Sequence, residues 1–158
     1  MIKRIFVFLF IFVETEFIFA MTPKPGSTSI GFSFLNPTGM NFKSWISENT
    51  GLNINFGVDP FDNFILFMNC DVQYHFDLIY NAPLATGLGI VMTVDSESRQ
   101  RDNYNVGLHG LIGEEFFFKK APLSFFIEGG GVFYFVPFNN LFLGWTGACG
   151  IRYYLTER

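Results

Sequence analysis

Seven residues of this chain carry the charges and imidazoles from which chemistry could be built: Lys43, Asp71, His75, His109, Glu115, Glu128 and Arg152. Carboxylates beside histidines can do acid–base or nucleophilic catalysis, whereas cations set among carboxylates can make an ion path or a web of ion pairs. The spacing fits none of the usual catalytic patterns. A Ser–His–acid triad needs nucleophile and base in contact, and neither His75 nor His109, the only two histidines, has a Ser beside it in sequence. There is no G-x-S-x-G elbow. Gly129, Gly130 and Gly131 are not followed by the Lys and helix of a phosphate loop, so they read as a strand with close backbone packing or a bulge, as do Gly87 and Gly89. The two His and two Cys residues are too scattered for a metal site. No catalytic residue, metal or cofactor is expected.

The stretches that carry the seven residues alternate with period two. In 141–155, Ile151, Tyr153 and Leu155 fall on one parity, while Gly144, Thr146, Ala148, Gly150 and Arg152 fall on the other. Side chains of an extended strand point alternately to its two faces, so this is a strand with one bulky apolar face and one small or polar face. Eight such runs can be marked, at 29–35, 40–46, 52–58, 64–76, 84–94, 104–118, 123–136 and 141–155. Asn36-Pro37-Thr38-Gly39 and Asp59-Pro60 mark turns, and most connections are short, as an antiparallel meander requires. The segment 95–103 is the one loop that is both long and charged. It carries Asp95, Glu97, Arg99, Arg101 and Asp102.

Composition narrows the class. The chain has 158 residues, the length of a single domain; 23 are Phe, and charged residues make up only 15 %. A net charge of -4 without a basic cluster argues against nucleic acid. Residues 1–20 have the form of a signal peptide, with Lys3 and Arg4 ahead of an apolar run from Ile5 to Val13 and a small residue, Ala20, at the cut. That run is shorter than the roughly 18 to 20 residues of a spanning helix. The expected organisation is therefore signal peptide 1–20, irregular lead-in 21–28 with Pro23, Pro25 and Gly26, and one β-barrel domain over 29–158.

The bulky parity holds Phe, Ile, Leu and Trp, and the opposite parity holds glycine, serine, asparagine and the charges. An eight-stranded barrel has an interior just wide enough for small side chains around a few polar ones, so this arrangement reads as apolar outside and polar inside. The expected fold is an all-β, eight-stranded antiparallel up-and-down barrel of the transmembrane type. A soluble lipocalin-like barrel would reverse the two faces.

Asn36-Pro37-Thr38-Gly39 followed by Lys43-Ser44-Trp45, then Cys70-Asp71-Val72-Gln73-Tyr74-His75, then Gly150-Ile151-Arg152-Tyr153-Tyr154, resemble an uncharacterised family of small spirochaetal outer-membrane β-barrel proteins. In shape that family is similar to OmpA- and OmpX-type barrels. The resemblance spans roughly Ser29 to Tyr154 and implies a fold and a location in the cell outer membrane, without an activity.

Inside such a barrel the seven residues should pair and plug the lumen, since unpaired charges there would be costly. The pairing expected is Lys43 or Arg152 with Glu128 and Asp71. Cys70 and Cys149 fall on the outward parity of non-neighbouring strands and should stay free thiols. Trp45, Tyr74, Tyr80, Tyr104, Tyr134, Trp145, Tyr153 and Tyr154 lie toward strand ends, where interfacial girdles form. The leading functional expectation is a monomeric outer-membrane protein in the lipid bilayer, structural or interacting, with any protein partner meeting the 95–103 loop. The alternatives are a soluble periplasmic lipocalin-like carrier of an apolar ligand and an outer-membrane lipid-modifying enzyme.

Overall fold

Alternation of small polar with bulky apolar residues gives every segment between turns two chemically opposite faces, and such ribbons can satisfy both only by closing on themselves. The computed structural model describes residues 23–60, 65–79, 82–94, 104–118, 121–136 and 141–155. Its strands are β1 (Thr28–Asn36), β2 (Thr38–Trp45), β3 (Thr50–Asp59), β4 (Ile65–Ile79), β5 (Ala82–Val94), β6 (Tyr104–Phe117), β7 (Leu123–Val136) and β8 (Phe142–Tyr154). Each pairs antiparallel with the next, and β8 returns to β1 through Ser29↔Tyr154 to Asn36↔Gly147, so the sheet is a closed barrel. The signal segment 1–20 and the charged loop 95–103 lie outside the described residues.

The barrel has two ends. The start of β1, the end of β8 and the strand ends that face the β2–β3, β4–β5 and β6–β7 connections lie at one, here the terminal end; the opposite strand ends lie at the loop end. The lead-in is tied to the terminal end, where the Gly26 amide donates to the Trp45 carbonyl at 2.7 Å. Gly26 turns there with a φ of +85°, which glycine adopts without a Cβ clash. At the first loop-end turn the Thr38 hydroxyl donates to the Leu35 carbonyl at 2.7 Å.

Burial is inverted relative to a soluble domain. Lys43, Asp71, Gln73, His75, Glu115 and Arg152 are all buried, while Phe34, Phe56, Ile90 and Leu108 are exposed, and Leu88 and Trp145 reach 76 % and 82 % exposure. Cys70 is exposed, Cys149 half-buried, and both are free thiols. Two small apolar clusters form inside the barrel among the described residues. Trp45, Phe117 and Tyr154 meet at the terminal end, and Phe67, Val91, Val132 and Tyr134 meet toward the loop end.

That placement corrects the girdle expectation at three positions. Trp45, Tyr134 and Tyr154 point inward and are buried, whereas Tyr74, Tyr104, Trp145 and Tyr153 are exposed on the outer face. The cause is strand parity. Trp45 shares the face of Lys43, Tyr134 that of Glu128 and Tyr154 that of Arg152, so a ring at these positions can only fill the lumen.

Candidate functional site

All seven residues singled out by their chemistry face the lumen. Lys43, Asp71, His75, His109, Glu115 and Arg152 are buried and Glu128 is nearly so, with its side chain 10 % exposed. Glycines on neighbouring strands make the space. A Cβ on Gly31 would meet Arg152 Cγ at 2.9 Å, one on Gly113 would meet Glu128 Cγ at 2.8 Å, and one on Gly89 would collide with Asp71 Oδ1. Each of these long or charged side chains therefore lies against a bare stretch of the adjacent strand.

The centre of the site, next to the terminal end, is Glu115. Its Oε2 accepts from Lys43 Nζ at 2.6 Å and lies 2.9 Å from Arg152 Nη1, an ion pair without hydrogen-bond alignment. Its Oε1 accepts from the Ser124 hydroxyl at 2.6 Å and the Tyr154 hydroxyl at 2.9 Å. Arg152 extends the network: Nη2 donates to Glu128 Oε1 at 2.9 Å and Nε donates to Asn41 Oδ1. The guanidinium carbon lies 3.7 Å from the centre of the Phe126 ring, so one face of the fork stacks on an aromatic. Lys43 Nζ also meets His75 Nε2 at 2.8 Å and lies 4.7 Å from the Trp45 ring centre. Over this cluster the rings of Trp45, Phe117 and Tyr154 close the terminal end, with the Trp45 indole donating to the Tyr154 hydroxyl at 3.3 Å.

Asp71 takes a different partner from the one expected. No Lys or Arg bridge to it is formed among the described residues; its Oδ1 lies 2.8 Å from His109 Nδ1, and Asn69 donates to its Oδ2 at 2.6 Å. The reason is register. Asp71 and His109 both pair with Gly89, one from each side, so the two side chains meet over a residue that has none. Lys43 and Arg152 are drawn instead to Glu115, which takes both cations, and Glu128 takes the other edge of Arg152.

His109 has a second neighbour that the sequence order concealed. Its Nε2 lies 2.8 Å from Thr146 Oγ1, which puts a carboxylate, an imidazole and a hydroxyl in the order of a hydrolytic triad. The hydroxyl belongs to a threonine on β8, 37 residues away, so adjacency in sequence could not reveal it. The void bordering both His109 and Thr146 measures about 10 Å³, room for a single water, and Thr146 also borders an open depression of about 580 Å³ shared with Leu88, Ile112 and Trp145. Among the described residues no cluster of His, Cys, Asp and Glu could hold a metal ion.

Beyond this layer Phe67, Val91, Val132 and Tyr134 form an apolar floor. Above the floor a recess of about 320 Å³ opens at the loop end, lined among others by Asn36, Asp59, Thr93, Tyr134 and Phe142. From terminal end to loop end the lumen therefore runs through an aromatic cap, a charge network, an acid–imidazole–hydroxyl chain, an apolar floor and an open cup.

These features define an eight-stranded, OmpA-like antiparallel barrel whose interior is packed with paired polar groups. The crystal structure of the N-terminal β-barrel domain of Pseudomonas aeruginosa OprF has the same fold: it superimposes with a TM-score of 0.68 at 11 % identity, over 84 % of this chain and 100 % of that one. No protein-family model and no curated protein matches the chain.

Proposed function

We propose that the chain is a monomeric outer-membrane protein whose sealed barrel serves a structural or interaction role at the cell surface. The observation that carries this reading is the inverted burial: an ion-paired network inside and Phe, Ile, Leu and Trp outside. A surface of that kind is stable in hydrocarbon and would aggregate in water. The β4 to β8 strands, at 13 to 15 residues, exceed the 9 to 11 that a tilted strand needs to cross a bilayer. The same inversion argues against a soluble carrier, whose apolar residues would line the cavity. The signal-peptide form of residues 1–20 and the fold shared with the OprF domain support this location, and the NPTG, K-S-W and GIRYY motifs resemble those of the small spirochaetal barrels. Any protein partner would meet the charged loop 95–103.

Two measurements test the location together. The protein should stay in the membrane pellet after a carbonate wash, and it should migrate faster on a gel unheated than boiled. Release into the supernatant would refute the reading. A lipid-modifying enzyme is the second reading, favoured only by the Asp71–His109–Thr146 arrangement; it requires lipid turnover that disappears in His109→Ala.

A further inference from the structure

We propose that the Asp71–His109 pair is a proton-held lock, in which His109 carries a proton on both ring nitrogens and supplies the positive charge that balances the sealed lumen. Among the described residues the lumen sets two cations, Lys43 and Arg152, against three carboxylates, Asp71, Glu115 and Glu128. His75 cannot add the missing charge, because its Nε2 lies 2.8 Å from Lys43 Nζ and can only accept there. The aromatic cap and the apolar floor stand between this layer and the two ends of the barrel. A carboxylate left unbalanced inside it would be charged without water or a counter-ion, which is costly.

Geometry assigns the proton to His109. Its Nδ1 lies 2.8 Å from Asp71 Oδ1 and its Nε2 lies 2.8 Å from Thr146 Oγ1, so an imidazolium donates to an oxygen on each side while the threonine hydroxyl turns to accept. The other two carboxylates are already supplied: Glu115 holds Lys43, Arg152 and two hydroxyls, and Glu128 takes Arg152 and the Gln73 amide. Around His109, β4 contributes Asp71 and Asn69, β5 Gly89 and β8 Thr146, while Glu128 from β7 and Asn55 from β3 border the same void. Every charged group among these neighbours is a carboxylate, so a cation is attracted there. An imidazolium has no lone pair with which to take the Thr146 proton. The acid–imidazole–hydroxyl chain then ties β4, β6 and β8 together across the lumen, and it is no general base. Removing the proton leaves Asp71 unbalanced, so the lock weakens as alkali is added.

The chain holds two histidines, so the full protein, purified in detergent without a histidine tag and labelled at its imidazole nitrogens, gives two ring signatures by nitrogen NMR. In neutral buffer one ring should have both nitrogens protonated and the other a single protonated nitrogen; His75→Gln should remove the second signature and keep the first. Asp71→Asn leaves two cations against two carboxylates and should turn the His109 ring neutral. Urea unfolding gives an independent readout. Between neutral and mildly alkaline buffer the unfolding equilibrium constant of the unaltered protein should rise by up to about tenfold per pH unit, because the folded chain then holds one proton more than the unfolded one. Asp71→Asn should show a shallower rise. Each variant must keep its heat-modifiable migration for its result to count, and the spectrum of the unaltered protein decides the matter if none does. Two neutral rings in the unaltered protein, a doubly protonated ring that disappears with His75, or an equal alkaline rise in folded Asp71→Asn overturns the proposal.

Discussion

Replacing Glu115 by Gln keeps the shape of the side chain and removes its charge. The wild-type carboxylate takes Lys43 and Arg152 on one oxygen and the Ser124 and Tyr154 hydroxyls on the other. In the variant the amide nitrogen is best turned toward the two hydroxyls, which can rotate to accept, and the amide oxygen stays toward the cations. Two buried cations then share a single carboxylate, Glu128, which reaches Arg152. Breaking a buried pair from one side costs about 3–5 kcal/mol, because the remaining charge is left uncompensated away from water. The cost should fall when the excess cation is also removed. Glu115→Gln combined with Lys43→Met should therefore be more stable than the sum of the two single losses by about 0.5–3 kcal/mol, the range for residues in one network. Equilibrium urea unfolding of the barrel in lipid vesicles measures all three variants. Trp45 fluorescence reports on the site itself, since the indole lies 4.7 Å from Lys43 Nζ. A loss below about 1 kcal/mol in Glu115→Gln, or strict additivity in the double variant, would refute the claim that this network holds the lumen together.

Other changes probe the remaining layers. Gly130→Ala drives a Cβ into the Gly110 carbonyl oxygen and puts it 2.8 Å from His109 Nε2 and 3.1 Å from Thr146 Oγ1, so it should lower the unfolding free energy by about 1–3 kcal/mol. Gly129→Ala, one residue along and with nothing within 4 Å of the added atom, should stay within about 0.5 kcal/mol of wild type in the same titration. In planar bilayers the protein should give no steady conductance, because the charge network and the Trp45–Phe117–Tyr154 rings occupy the cross-section; large sustained openings would contradict a sealed lumen. Alkylation of the denatured chain should add two labels with or without prior reduction, since Cys70 and Cys149 are free; a mass showing a bridged monomer would contradict their placement on different walls.

The face of each strand was legible in the sequence because period two is set by backbone geometry alone, and one bulky residue per pair is enough to reveal it. That is why Lys43, Asp71, His75, His109, Glu115, Glu128 and Arg152 could be assigned inward without any knowledge of their partners. The inward positions of Trp45, Tyr134 and Tyr154 were equally legible by parity, two or more residues from Lys43, Glu128 and Arg152 on the same faces. Reading them by residue type, as interfacial aromatics, set a weak compositional tendency against a strong geometric rule.

Height inside the barrel is a different matter, and it decides who pairs with whom. Asp71 and His109 meet because both lie in register with Gly89, one on each side, a fact of register across two hairpins that no single segment contains. Thr146 joins them only because β7 and β8 align Gly130 with it, and Gly130 leaves His109 the space to reach across. Glu115 wins both cations over Asp71 for a related reason: Lys43 leans past Gly51 toward the terminal end and Arg152 reaches across to it from β8, while the hydroxyls of Ser124 and Tyr154 saturate the carboxylate's other oxygen. A carboxylate with that many donors is a better place for two cations than one already held by an imidazole and an amide. The sealed lumen thus follows from glycine placement as much as from charge. Where a strand offers no Cβ, a neighbour's long side chain crosses, and the crossings at Gly31, Gly89, Gly113 and Gly130 together turn a tube into a plug.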